Sequence, residues 1–198
     1  MSEIEYLTLE PERAPEVAAL HLTSLPDDYL PAFGERVLCL YYAYSMALER
    51  AELFAACRDE RVVGVAQVVM GDPIFGGFLR RHPVAVFVGM LRMFWCSPRI
   101  LAAILSSLRS AKVARGECRN ELAYVFVDPS FRRQGIATGL VKEVNRSLAG
   151  RGASCCTTKT LARNEHLLHL YRSLCQEVKV VGRYTDKLRK YAYIQWTV

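Results

Sequence analysis

The sequence predicts a domain of the α/β (α+β) class, in which strand-like runs alternate with helical stretches. Residues 121–152, ELAYVFVDPSFRRQGIATGLVKEVNRSLAGRG, read as a strand, a tight basic turn and a long helix. Ahead of them the apolar periodicity runs strand, helix, helix, strand, strand. Composition agrees. Of 198 residues, 52% are hydrophobic and 23% charged, values of a globular chain rather than a disordered one. The length predicts one domain over 1–198 with room for a sizeable core.

Glu5–Leu9 is expected as a short first strand and Glu10–Leu22 as a helix, with Pro11 or Pro15 in its first turn and Val17, Leu20 and His21 on one side. His21 is expected as a partly buried helix residue rather than a ligand. Leu25–Gly34, with two prolines and the acids Asp27 and Asp28, reads as a loop. Glu35–Leu48 carries Val37, Leu40, Tyr41, Tyr44 and Leu48 on one stripe, the pattern of a helix. Ala51–Arg58 and Val62–Met70 read as strands joined by the short polar link Asp59-Glu60-Arg61. Residues 71–120 open on a turn-rich stretch and continue as two basic, apolar helices over Arg80–Met93 and Pro98–Ala114. Val84–Trp95 is strongly apolar but is interrupted by Arg92 and is too short to span a bilayer.

Leu122–Val127 has the composition of a buried strand. Pro129 stops it because proline has no N–H for the ladder. The turn Arg132–Ala137 leads into a helix with Leu140, Val141, Val144 and Leu148 on one face, and Gly150 and Gly152 mark its end. Ser154–Leu161 is expected as a strand, Asn164–Cys175 as a helix, and Lys179–Arg183 and Tyr191–Thr197 as final strands around a polar link, Tyr184–Lys190.

A strand–turn–helix of this kind makes an anion site. The first N–H groups of a helix lack intrahelical partners, and the helix dipole adds positive potential there. Gly135 and Ala137 leave room for a phosphate at the backbone, and Arg132 and Arg133 add full charges. The three glycines of a dinucleotide fingerprint and the Gly-Lys-Ser/Thr of a P-loop are both missing from the stretch. The string Val127-Asp128-Pro129-x-x-Arg132-x-x-Gly135-x-Ala137 resembles motif A of the GNAT superfamily of acyl-CoA-dependent N-acyltransferases. The resemblance implies the GNAT fold, a central mixed, mostly antiparallel sheet of six to seven strands flanked by helices. The strand and helix order read above is that of the superfamily, with a helical insertion at about 71–120 where a minimal member has a short link. It implies acetyl-CoA as cosubstrate and no metal. The pyrophosphate would lie on the turn Arg132, Arg133, Gln134, Gly135, Ala137 and Thr138. The pantetheine arm would lie along Phe126 and Val127, where a splay or bulge in the strand would free backbone groups to pair with its amides.

Asn164-x-x-Leu167-x-x-x-Tyr171 is similar to the same superfamily's motif B. There the Asn bonds the pantetheine arm or nearby backbone, and the Tyr is the general acid at the CoA sulfur. A seven-residue step puts Asn164 and Tyr171 on one helix face. One departure stands out. The superfamily's Gly-Phe after the Tyr is replaced by Cys175-Gln176, which leaves the end of the helix open. Glu121 stands eleven residues before Arg132, the offset of the general base in the histone-acetylating branch. Alternation would put Glu121, Ala123, Val125 and Val127 on one face of the strand. A solvated acid at the start of a strand is the other reading of Glu121. His166 and His169 lack a third ligand and are expected outside the chemistry, and Cys155 and Cys156 are expected as packing residues.

Together these readings predict transfer of an acetyl or other acyl group to a primary amine, of a small molecule or a protein, by direct attack in a ternary complex. The alternatives are a non-catalytic acyl-CoA sensor, or a membrane- or nucleic-acid-associated protein on the same scaffold. The net charge is +6, unevenly spread. Residues 1–62 hold 12 acids and 5 bases, 71–120 hold 8 bases and 2 acids, and 121–198 hold 13 bases and 6 acids. A polyanionic cosubstrate accounts for the basic part, and with no recognisable module a nucleic-acid partner is not expected. The 71–120 segment is expected as a helical cap over the acceptor side. A homodimer surface and an amphipathic membrane-surface patch are its other readings. Seven cysteines, an odd number with an adjacent pair, do not suggest a disulfide framework. With no apolar leader in MSEIEYLTLEPER, a reducing cytoplasmic setting is expected.

Overall fold

Seven strands form one sheet in the order β1-β2-β3-β4-β5-β7-β6. They are β1 (Glu5–Thr8), β2 (Ala51–Arg58), β3 (Arg61–Met70), β4 (Asn120–Val127), β5 (Cys155–Leu161), β6 (Gln176–Thr185) and β7 (Lys190–Thr197). This computed structural model describes residues 3–96, 98–100, 102–103, 118–162, 164–186 and 188–198. The expected helix over Pro98–Ala114 lies for the most part outside the described residues, as does the side chain of His166. Neighbouring strands are antiparallel except β4 and β5. A parallel neighbour needs a crossover, and the long helix after the basic turn supplies it. The sheet is therefore mixed and mostly antiparallel.

Helices α1 (Ala14–Ser24) and α2 (Glu35–Met46) cover one face, and α5 (Ile136–Gly150) with α6 (Glu165–Leu174) the other. The period-2 alternation of β3 serves both. Val65 and Val69 meet α1 and α2, while Ala66 and Val68 meet α5; a bulge at Val63, between the pairs Cys57–Val62 and Ala56–Gly64, turns Val63 to the α5 side as well. Gln67 is buried on the α2 side and donates to Ser45 Oγ at 2.7 Å. Gly64 lets α5 come close, because a Cβ there would lie 2.9 Å from Ile136 Cγ2 and 3.2 Å from Leu140 Cδ1. The Asp59–Glu60 link is a tight hairpin turn with both residues at positive φ.

The insertion begins as α3 (Phe75–Arg81) and α4 (Pro83–Cys96). The continuous helix expected from Arg80 is broken at His82, because the residue before a proline is driven from the helical region; His82 sits at φ −128°, ψ 51°. Phe78 of α3 is fully buried edge-on to Tyr41. The expectation of no disulfide is corrected at one pair: Cys118 is bonded to Cys155. These residues are 37 apart in sequence. The β4–α5–β5 crossover brings the starts of the two parallel strands side by side, a proximity that no spacing rule reports. Cys39, Cys57, Cys96, Cys156 and Cys175 are free thiols.

Candidate active site

The site is made by a parting of strands. β4 and β5 pair at only two positions, Glu121 with Thr157 and Leu122 with Thr158. Beyond Leu122 the two diverge, so the β5-facing edge of Ala123–Val127 is left unpaired by strand. On its other edge β4 stays in register with β3, with a bulge at Ala123: Val68 pairs with Leu122 and Gln67 with Tyr124. A bulge adds a residue and turns the strand. Its effect on facing is concrete. Ala123, Tyr124 and Phe126 pack on the α1–α2 side, whereas Leu122, Val125 and Val127 pack on the α5 side. The expected common face of Glu121, Ala123, Val125 and Val127 is thus corrected, since the extra residue moves Val125 and Val127 to the opposite side. Phe126 is buried against the ring of His21 at 4.8 Å.

The basic turn closes one end of this opening. Asp128 accepts from Ser130 N at 2.9 Å, caps a single 3-10 turn over Pro129–Phe131, and holds Arg61 at 2.8 Å. Two left-handed residues follow, Arg133 at φ 64° and Gly135 at φ 78°. Gly135 is the N-cap of α5 and offers no side chain to its N–H groups; the first intrahelical bond is Gly139 N to Gly135 O at 3.0 Å. The N–H groups of Ile136, Ala137 and Thr138 thus form the open start of α5. Nothing lies within 4 Å of the place where a Gly135 Cβ would be. Arg133 and Gln134 are exposed. Arg132 is engaged within the chain. Its guanidinium donates to Ser24 O at 3.0 Å and Val127 O at 3.3 Å, tying the turn to the end of α1.

A cavity of about 1380 Å³ runs in from this opening. Glu121, Asn164, Leu167 and Tyr171 all line it, so the structure brings the expected strand acid and the motif B residues together. Tyr171 is fully buried and stacked on Trp196 at 4.7 Å with 15° between the rings. Among the described residues its hydroxyl oxygen makes no hydrogen bond of normal geometry, Thr158 being the nearest group that acts on it. Thr158 stands beside it but donates its own proton to Leu122 O at 2.9 Å. Burial pushes ionisation of Tyr171 well up, against a smaller opposing effect of Thr158. It is a neutral O–H at physiological pH. Asn164 is the N-cap of α6 and accepts from Leu167 N at 3.3 Å. α6 ends before Cys175, which stands in place of the superfamily's glycine and is extended; two residues on, in β6, Glu177 takes positive φ.

A second group at the site joins two residues that the sequence reading kept apart, His21 in the first helix and Asp28 in the loop after it. His21 is fully buried, with Nδ1 2.6 Å from Tyr42 OH. Its Nε2 faces Asp28 Oδ2 at 3.6 Å. Burial alone would raise the Asp28 carboxyl; His21, Lys159 and the Tyr29 N–H together outweigh it and hold it below the ordinary range. Asp28 and Tyr124 line the same cavity. Burial first, and Asp28 next, push the Tyr124 phenol well up. The signal was faint, because His21 and Asp28 meet only when the loop after α1 folds back. That loop is stapled to the β6–β7 turn: Tyr29 donates to Asp186, Arg189 donates to Asp27 O, and the Arg189 guanidinium lies 4.9 Å over the Tyr29 ring. Among the described residues no group of three or more His, Cys, Asp or Glu is placed to hold a metal.

A family model described as Acetyltransferase (GNAT) family matches residues 15–175, from α1 to the end of α6. The fold is similar to that of the ribosomal-protein-S18-alanine N-acetyltransferase from Escherichia coli, with a TM-score of 0.65 at 13% identity over 99% of this chain and 94% of that one. It is also similar to the Drosophila melanogaster polyamine N-acetyltransferase, with a TM-score of 0.65 at 13% identity over 99% and 100% of the two chains. PaiA N-acetyltransferase from Thermoplasma acidophilum, solved in complex with coenzyme A, gives 0.61 at 11% identity over 99% of each chain. No curated protein sequence is significantly similar to the chain.

Proposed function

The chain belongs to the acetyltransferase (GNAT) family, whose cosubstrate is acetyl-CoA, and from that premise we propose that it is a single-domain enzyme moving the acetyl group to a primary amine by direct attack in a ternary complex. The observation that carries this reading is the parting of β4 from β5 after two paired positions. One strand edge is left open between the uncapped start of α5 and the unbonded hydroxyl of Tyr171.

Acetyl-CoA would place its pyrophosphate at Arg133–Thr138. Its pantetheine amides would pair with the open edge through Phe126 and Val127. The amine nitrogen, neutral once its ammonium form has shed a proton to solvent, attacks the thioester carbon. The C–S bond breaks with its electron pair on sulfur, and Tyr171 gives that sulfur its proton. The surplus proton of the amine goes to Glu121, directly or through water. General acid–base help of this kind is worth about 10²–10⁴-fold, and alignment of amine and thioester contributes more. The acceptor would enter from the side built by the 25–34 loop, the start of the 71–120 insertion and the C-terminal strands, all of which contribute to the cavity wall. Asp28 and Glu121 on the cavity wall favour an amine that arrives as a cation, while Lys159 and Lys190 on the same wall offer contacts to an anionic part of it.

The direct test is calorimetric titration of acetyl-CoA into the intact protein, Gly135→Ala and Gly135→Glu. Alanine has room at 135 and carries only the left-handed backbone cost of about 1 kcal/mol, so binding persists. Glutamate puts a carboxylate on the phosphate turn, and binding is lost. Equal affinity in all three proteins would remove the assignment of the turn. Absence of binding by the folded parent would remove the reading itself.

A further inference from the structure

We propose that α4 lays its outward face on an anionic lipid surface. The helix carries two apolar stripes. The inner one, Val86, Gly89 and Met93, is buried, with Gly89 so close to Phe33 that a Cβ would lie 2.9 Å from its ring. The outer one, Val84, Phe87, Val88, Leu91, Phe94 and Trp95, repeats at helical spacing and faces solvent. Phe87 and Phe94 are about three-fifths exposed and Trp95 is 80% exposed. A helix apolar on every side is ordinarily covered on every side, and a continuous exposed apolar patch marks a contact surface.

Charge identifies the occupant. From residue 73 to residue 116 the chain holds seven bases and no acid. Arg80 and Arg81 precede α4, Arg99 follows it, and Arg92 leans from it over Gly34; all four are exposed. This contrasts with the acidic first 62 residues and with residues 121–198, where six acids are interspersed among the 13 bases. Aliphatic and aromatic side chains ringed by arginines suit a helix lying in a headgroup layer. A second copy of the chain fits poorly, because a two-fold contact sets the same patch against itself and would oppose bases with bases. A nucleic acid would answer the charge but leave the apolar stripe in water. At 14 residues α4 does not span a bilayer, and among the described residues no helix is long and apolar enough to do so. The contact is therefore a peripheral one. It stands apart from acetyl transfer and does not depend on it.

Vesicle flotation of the full chain tests this, with phosphatidylcholine alone and with phosphatidylcholine containing phosphatidylglycerol. The parent should float with the anionic vesicles only. Phe94→Glu/Trp95→Glu should abolish flotation while leaving the thermal unfolding profile intact, since both side chains face solvent. Arg80→Ala/Arg81→Ala should weaken it about tenfold or more. Of the two tryptophans, Trp196 is buried and donates to Asn145 Oδ1 at 3.0 Å, so a blue shift of emission on adding vesicles reports Trp95. The proposal is overturned by equal flotation with neutral vesicles, by equal flotation of the double-Glu protein, or by RNA binding without flotation. A concentration-dependent dimer that the double-Glu change dissolves, with no flotation, also overturns it and gives the face to a second copy.

Discussion

The hydroxyl of Tyr171 is the least explained polar atom in the core unless it has work to do. A buried O–H without a partner carries a desolvation cost of about 1–3 kcal/mol, and the ring would pack on Trp196 equally well as phenylalanine. Tyr171→Phe should therefore leave the melting temperature unchanged or raise it slightly, leave acetyl-CoA affinity unchanged, and lower kcat about 10²–10⁴-fold. Unchanged kcat would show that the ring is only packing. Asp28 makes the opposite kind of prediction. Its folded pKa lies below its unfolded value, so its stabilising contribution is complete above the unfolded range, about pH 4. That contribution is lost as pH falls through the lower folded value. The parent should melt above Asp28→Asn near neutrality, and the gap should close as pH drops below about 4. A gap that stays constant down the acid range would mean that Asp28, with His21 and Lys159 around it, is stabilised by something other than its charge. Tyr171 was legible in the sequence because a seven-residue step and a motif pointed to it. The His21–Asp28 pair was not, because the helix end that brings the two together leaves no periodic trace.

At the level of elements, strand–turn–helix 120–150 was readable almost to the residue, since apolar composition, Asp128-Pro129 and the glycines all mark the same boundaries. The bulge at Ala123 was invisible, because either neighbour in a run of apolar residues fits either face. So was the end of α6, where Cys175 stands in place of the glycine in an extended conformation and the positive φ falls on Glu177 instead. Gly64 shows how one element positions another. It sits in β3, outside the motif, yet sets how near the start of α5 approaches the sheet. Gly64→Ala inserts a methyl 2.9 Å from Ile136 Cγ2, and overpacking of this kind costs about 1–3 kcal/mol. The distinctive outcome is weaker acetyl-CoA binding from a position outside the turn, because Ile136, the residue met, is the first of α5 and adjoins the turn proposed to hold the pyrophosphate. A melting temperature that falls while affinity stays constant would mean that the strain is relieved elsewhere, in Leu140.

Across the whole molecule the sheet consists of two ladders, β1–β4 and β5–β7–β6, joined by two residue pairs of β4 and β5, the side-chain bonds of Asn120, Thr157 and Thr158 beside them, the bond between Cys118 and Cys155, and the α5 crossover. A ligand lying along the open edge would bridge the two ladders where the chain's own hydrogen bonds run out. It binds the folded form only, so at one hundred times its dissociation constant it should stabilise the fold by about 2.7 kcal/mol. For a chain of this size that is roughly 5–10 °C in melting temperature. With Tyr171 in the proposed role of general acid, Tyr171→Phe should keep the full shift, and Gly135→Glu should lose it. Scanning the three proteins with and without acetyl-CoA separates binding from chemistry in one experiment. A shift that survives Gly135→Glu would move the ligand off the phosphate turn, whereas a shift absent from Tyr171→Phe would make Tyr171 a binding residue and leave the leaving thiolate without its acid.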